Sequence, residues 1–474
     1  MRADMSKTVT RDYDAQGEDL VEGGGPCLYL VLECDRPIAS SSRHALADLD
    51  EVVVGRGPAR RASRSEREGT RLLALGVPDS RMSQVHARLV RDMGRWILED
   101  AGSKNGVILN GERHERAVLE DGDLFELGHT FFLFREWVGA PSVPFPPDCE
   151  ATELTVPAPG LLTFTPSLVR AFGELVQVSR APVSVLVQGE TGTGKELLAR
   201  AVHTMSGGEG AFVAVNCGAL PETLVESELF GYVKGAFSGA SQDRLGLIRS
   251  ADHGTLFLDE IGDLSPPSQA ALLRVLQERE VTPLGSSKPV RVSIQVVAAT
   301  HHDLSLLVAK DQFRRDLFAR IAGFTIRLPP LVQRREDLGL LMASLLPRVA
   351  HDRVDAIRLR VEAARALLNY EWPLNVRELE GCLGIATALA GRGPVKLEHL
   401  TEAVRGERPA SAETPSESGP PLSPEEQQRR DDLMELLRQH RGNISAVARA
   451  AGKARVQIHR WLRRYRLDPR SFRR

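Results

Sequence analysis

Two short stretches hold the residue types that phosphate chemistry needs. In VLVQGETGTGKE an apolar strand runs into Gly189-Glu190-Thr191-Gly192-Thr193-Gly194-Lys195, and a helical run opens on Glu196. Glycines at these positions let backbone N–H groups wrap phosphate oxygens, and the helix N-terminus adds its dipole. Lys195 is placed to reach the outer phosphates. The general motif has Ser or Thr after the lysine for magnesium; here it is Glu196, which leaves Thr193 or water to complete that shell. Further along, GTLFLDEIG ends an apolar strand in Asp259-Glu260. An acid at a strand end suits Mg²⁺, and Glu260 can polarise an attacking water. An acidic pair alone is a weak signal and is often a solvated strand end. Paired with the upstream glycine loop, it indicates hydrolysis of a nucleoside triphosphate.

FRRDLFARI supplies Arg314 and Arg320, planar cations suited to a γ-phosphate. The alternative is a basic helix face, since the chain has 53 arginines against 8 lysines. Arg377, in WPLNVREL, is either a reporter of nucleotide state or an ordinary helix-start arginine. A different oddity is ELFGYVKGAFSGA, which sets Phe237 among Gly235, Ala236, Ser238, Gly239 and Ala240. The glycines oppose a helix and no alternation supports a strand. The stretch reads as a loop with an apolar tip, and such a tip needs something to touch.

These residues must be held by a multidomain chain. At 474 residues, three domains are expected at roughly 150 residues each. Net charge is −2, so the whole chain makes no case for nucleic acid or membrane. The five cysteines are scattered, without zinc or disulfide spacing, and no apolar run approaches the roughly 18 residues that span a bilayer. The N-terminus lacks an apolar signal core. A reduced, cytoplasmic setting is expected.

Residues 1–26 read as a disordered lead. Residues 27–137 alternate short β-rich runs with turn signals and predict an all-β sandwich. Residues 138–160 form a Pro-rich linker with little helix or sheet potential. Over 161–328 apolar strands (VSVLVQG, AFVAVNC, GTLFLDE, IQVVAAT) alternate with helical patterns, which predicts an α/β parallel sheet. Residues 329–405 turn helical, 406–422 are a second linker, and 423–474 read as three helices.

That last segment is basic, with 14 Lys+Arg against 6 Asp+Glu, a net of +8. In KARVQIHRWLRRYRLD, Ile458, Leu462 and Tyr465 are spaced to pack inward. Arg455, Gln457, His459, Arg460 and Arg463 then face out, as a recognition helix reading base edges and phosphates in a major groove. A solvated helical bundle is the blander alternative, weakened by the charge.

GETGTGKE, ELFGYVKGAFSGA, GTLFLDEIGDLSPPSQAALLRVLQERE, FRRDLFARI and WPLNVREL, in this order, resemble the AAA+ domain of sigma-54-dependent transcriptional activators. The resemblance covers about 161–405. It implies an AAA+ P-loop NTPase with a helical lid, using ATP and Mg²⁺ in a hexameric ring. It makes Glu196 the family's usual residue. It also implies a loop, Gly235–Ala240, whose Phe237 grips the sigma-54 factor of RNA polymerase. By the same resemblance Lys195 binds phosphate, Asp259 holds magnesium and Glu260 activates water. Asn216 restrains that glutamate, and Arg314 and Arg320 reach a neighbour's ATP. Departures are Ser238 for threonine, Tyr232-Val233 for His-Glu, His301 where Asn is common and Leu374 for Gly.

VVVGRG, RMSQVHARL and DAGSKNGVILNG resemble a forkhead-associated (FHA) domain, a phosphothreonine-peptide reader. Arg56, Ser83, Lys104 and Asn105, with Arg81, are the implied contacts, and His86 a structural residue. A doubly charged phosphate wants a guanidinium plus hydroxyl and amide donors converging from loops. The insert PARRASRSEREGTR after Arg56 reads as mobile. RGNISAVARAAG and IHRWLRRY resemble a Fis-type helix-turn-helix, which implies enhancer DNA and dimers. The rivals to an activator are another AAA+ machine, such as an unfoldase, and a DNA-binding adaptor whose ATPase has decayed.

Overall fold

The computed structural model describes residues 24–139, 146–154, 158, 160–219, 222–238, 240–350, 356–406 and 424–440, and scattered positions between 447 and 472. It divides into two compact units, Met1–Gly406 and Glu407–Arg474.

The first unit opens with the expected β sandwich. Its larger sheet runs Asp148–Glu150, Ser42–Ala45, Gly25–Glu33, Thr130–Val138, Leu124–Leu127, Val107–Leu109, Glu112–His114. The second runs Arg116–Val118, Arg95–Asp100, Ala87–Asp92, Glu51–Arg56, Thr70–Val77, Arg61–Arg67. Leu28, Leu30, Val52, Val54, Leu73, Phe125 and Phe132 fill the space between them. Two expectations need correction. The basic insert is no mobile loop: Arg61–Arg67 and Thr70–Val77 form a hairpin with its turn at Glu68-Gly69, both at positive φ. Part of the Pro-rich linker is also strand, since Asp148–Glu150 pairs with Ser42–Ala45. Charge explains that pairing. Asp148 accepts from His44 Nδ1 at 2.8 Å and from Arg64 Nε at 2.6 Å.

Next comes a five-stranded sheet in the order Phe212–Asn216, Thr255–Asp259, Gln295–Thr300, Val185–Gln188, Phe324–Arg327, with every pairing parallel. Its strands are apolar on both faces because helices cover both. Leu186, Leu256 and Leu258 face one core, while Val185 and Val187 face the other with Leu168, Leu175 and Leu198. The helical lid is built of Leu338–Ala350, Val361–Asn369, Asn375–Ala390 and Glu402–Arg405. All five cysteines are free and buried. No helix among the described residues is long and apolar enough to cross a membrane.

In the second unit, helix Pro424–Gln439 packs Leu433 and Leu437 against Val447, Ile458, Leu462 and Tyr465. The inward trio is therefore as expected. Arg455, Gln457, His459, Arg460 and Arg463 lie outside the described residues.

Burial would raise the Asp148 carboxyl, but His44 and Arg64 outweigh it and bring the group down to about 2. A depressed carboxylate stabilises the fold above its unfolded value, near 3.9, and that contribution fades as pH falls toward 2. Asp148→Asn is therefore expected to lower the urea midpoint at pH 6, with the gap to the parent chain narrowing at pH 3. An equal gap at both pH values would remove the clamp from the account of this edge.

Candidate active site

The glycine loop sits where the sequence places it, between strand Val185–Gln188 and helix Lys195–Ser206. Gly192 and Gly194 have φ of +80° and +105°, a region open mainly to glycine. A Cβ on Gly192 would lie 2.1 Å from the Leu374 carbonyl, so the lid approaches the loop too closely for any side chain there. Lys195 is buried, and its Nζ donates to Gly189 O at 2.9 Å and to Glu260 Oε1 at 3.2 Å. Thr193 Oγ1 turns inward to Glu190 O. Glu196 is exposed and pairs with Arg200 one turn along its helix.

Asp259 and Glu260 end strand Thr255–Asp259, and Glu260 has φ +52°. Such a conformation in a non-glycine residue is costly and re-aims the side chain. Glu260 Oε2 accepts the His301 backbone N–H at 3.1 Å and His301 Nδ1–H at 2.7 Å. Burial pushes the Glu260 carboxyl up, yet its bonds to His301 and Lys195 leave it below the ordinary range. Asp259 is shifted the other way, first by burial and then by the neighbouring Glu260 charge. The two neighbouring carboxyls are thus shifted in opposite directions.

Asn216 stands beside Asp259 on the adjacent strand. Its expected contact with Glu260 is not made. Asn216 Oδ1 instead accepts from the backbone of Gly218 and Ala219, closing the turn after its strand. Glu260 is restrained by His301 and Lys195. His301 therefore fills the position where Asn is common with a side chain that bonds the glutamate directly. Arg314 forms a two-pronged pair with Asp316, and Arg320 donates to Leu276 O. Neither touches the glycine loop of its own chain. Arg377 starts the helix that overlies Gly192, its Cβ within 3.1 Å of where a Gly192 Cβ would stand.

Two residues that sequence reasoning missed hold the loop. Asn375 is fully buried at φ +57°, and its Nδ2 donates to Glu190 Oε2 and Thr191 O while Oδ1 accepts from Leu331 N. Arg334, also buried, donates to Thr193 O at 3.0 Å. The signal for Asn375 was its type, since Asn tolerates the left-handed region better than most residues. Leu374 takes an ordinary φ of −103°, so the backbone does not require the usual glycine.

The apolar loop is anchored at its base, where Gly231-Tyr232 pairs with Arg244-Leu245 and Leu284 bonds Gly231 and Val233. Phe237 is 46% exposed and rests edge-on against Tyr232, with centroids 5.0 Å apart. Gly239 lies outside the described residues. In the sandwich, hydrogen bonds gather the expected peptide contacts at one end. Arg56 N donates to Ser83 O, Lys104 N to Ser83 Oγ, and Asn105 Nδ2 to Arg81 O. His86 is fully buried, accepting from Ser83 N and donating to Gly106 O. It is structural, as expected.

The family model for the Sigma-54 interaction domain matches residues 161–327, that for the AAA+ ATPase lid domain 332–417, and that for the FHA domain 52–128. The Transcriptional regulatory protein GlrR of Escherichia coli K12 is 38% identical over 314 residues, 66% of this chain and 69% of that protein. The chain belongs to the sigma-54-dependent transcriptional regulators. This regulator is also 47% identical to the Nif-specific regulatory protein of Azotobacter vinelandii over 232 residues, 49% of this chain and 44% of that one. A crystal structure of NtrX from Brucella abortus with ADP aligns at TM-score 0.48 and 27% identity, covering 64% of this chain and 69% of that one.

Replacing Asn375 by Ala leaves the Leu331 N–H buried without a partner and keeps the unfavourable φ. The expected loss of stability is about 2 kcal/mol, with a several-fold rise in KM for ATP. Urea titration and steady-state turnover check both; an unchanged KM would free the loop from this clamp.

Proposed function

We propose that this regulator is an ATP-hydrolysing transcriptional activator that remodels sigma-54 RNA polymerase under phosphothreonine control. The observation that carries the reading is the cluster at the strand ends. A buried lysine is shared between the glycine loop and a strained glutamate, with a second carboxylate beside it. Loop N–H groups and Lys195 bind the phosphates of ATP. Glu260, ionised and aimed by His301, orients the attacking water and takes its proton. Asp259 is an oxygen donor whose raised carboxyl fits a hard cation, and Mg²⁺ held there would neutralise charge across the phosphate oxygens. Because Arg314 and Arg320 engage no loop residue of their own chain, the reading gives them to a neighbour's site, within a homo-oligomeric ring up to a hexamer. Arg377 follows the nucleotide from the lid.

Phe237 is the contact for sigma-54. Its exposure supports this, and the Tyr232 ring gives it a seat from which it extends. Arg56, Ser83, Lys104 and Asn105 take the phosphothreonine peptide. The basic tail, through Arg455, Gln457, His459, Arg460 and Arg463, takes enhancer DNA. The setting is the cytoplasm.

The deciding experiment uses the full chain with sigma-54 polymerase and a supercoiled promoter. Glu260→Gln is expected to keep ATP binding and lose at least a hundredfold in turnover. Phe237→Ala is expected to keep turnover and lose open complexes. Turnover without opening in the parent chain would point to a different partner for the loop. A folded, assembled chain without turnover would favour the DNA-binding adaptor.

A further inference from the structure

Strand Gly25–Glu33 is buried along nearly its whole length, on both faces. An outer strand face of a two-sheet sandwich ordinarily meets water. Here alternate residues divide between two cores. Leu28 and Leu30 face the sandwich interior, while Cys27, Tyr29 and Val31 join Phe164, Leu338, Met342, Leu345 and Trp372. The neighbouring strand repeats the division, with Phe132 and Phe134 inward and Phe131 and Leu133 on the shared side. The FHA sandwich and the lid therefore share one apolar core.

Polar contacts fix the register of that core. Arg365 of the lid grips Glu126 of the sandwich with both prongs, at 2.5 and 2.9 Å. Leu359 N donates to Cys34 O at 2.8 Å. Gly339 leaves no room, since a Cβ there would lie 1.8 Å from Val31 O. The segment Arg334–Asp337 then connects this joint to the nucleotide loop. Arg334 donates to Thr193 O, Arg335 to Gly122 O of the sandwich, and Glu336 pairs with Arg135 of the sandwich at 3.4 Å. Burial lifts the Glu336 carboxyl to about 7 against the pull of Arg135, so the pair sits where an unmatched charge is costly.

We propose that the FHA sandwich is a fixed extension of the lid, docked through the outer face of its larger sheet, and that Arg334–Asp337 couples it to the phosphate loop. Occupancy of the FHA loops then changes nucleotide affinity in the same chain. This last step rests on the phosphopeptide reading above. The docking and the coupling of the joint to the loop do not.

The test uses the full chain, the joint variants Gly339→Leu and Arg135→Ala/Arg365→Ala, and the remote control Arg88→Ala. Alkylation of Cys27 and Cys34, mapped by mass, reports whether the face opens; at least a tenfold faster reaction is expected in the joint variants and none in the control. Affinity for a fluorescent ATP analogue is expected to change at least threefold in the joint variants alone. Unchanged alkylation in both variants overturns the docking. Faster alkylation with unchanged nucleotide affinity overturns the coupling.

A phosphothreonine peptide library then supplies a ligand, with Arg56→Ala as the control for binding at the loops. A bound peptide is expected to shift nucleotide affinity at least threefold in the parent chain, with the reciprocal shift in peptide affinity, and not in the joint variants. A peptide that binds without any shift overturns the coupling of the two sites. If no peptide binds, the phosphothreonine reading falls, and the first arm alone decides the joint.

Discussion

In the run Arg334-Arg335-Glu336-Asp337, where the lid, the parallel sheet domain and the β sandwich meet, Arg334, Glu336 and Asp337 are buried and Arg335 is half-buried. Charges taken out of water must find partners, and no single element supplies enough of them. Asp337 accepts from Thr163, Phe164 and Thr165, just ahead of helix Pro166–Ser179. Arg334 reaches the phosphate loop, Arg335 the sandwich and the lid, and Glu336 the sandwich. Satisfying this one segment therefore fixes the positions of three bodies at once.

The phosphate loop is gripped from the lid side as well. Asn375 and Val376 bond Glu190, Thr191 and Gly192, and Gly192 can have no side chain because the lid lies on it. Two non-glycine residues here, Glu260 and Asn375, are held at positive φ. Strain of this kind persists only where surrounding contacts over-determine it. Glu260 is held by Lys195 and His301, and Asn375 by three side-chain hydrogen bonds and one from its backbone N–H to Trp372 O. The strained residues are also those that aim a carboxylate and hold the loop, so geometry is bought here at the expense of local stability.

Histidine in place of the common asparagine at 301 keeps a direct hold on the neighbouring glutamate in this arrangement. It bonds Glu260 through both backbone and ring, and the second ring, His302, lies tilted against it and pairs with Asp263. Tyr232, another departure, gives Phe237 an aromatic seat. Both substitutions alter how a neighbouring residue is positioned and leave that residue in place.

Much of this was legible from residues alone, because it rests on local rules. A glycine loop between strand and helix, acids at a strand end, and alternation with turn signals each follow from backbone sterics and periodicity. The basic strand Arg61–Arg67 was missed because it is polar on both faces, which removes the period-two signal; its partner Thr70–Val77 buries Leu73, Leu75 and Val77. The strand at 148–150 was missed because its partners, His44 and Arg64, are distant in sequence. CLYLVLEC and FFLF fall among the β-rich runs of 27–137, and their unbroken apolar stretches fit the two-faced burial that the structure shows. What covers the second face is not written in those residues. The sequence by itself determined most of the elements, the glycine loop with its acidic pair, and the motifs of the FHA domain. Only tertiary packing decided that the sandwich shares its core with the lid, that His301 and not Asn216 holds Glu260, and that Arg334 and Asn375 clamp the loop. Burial and charge pairing between distant segments depend on which surfaces meet, and no local rule specifies that.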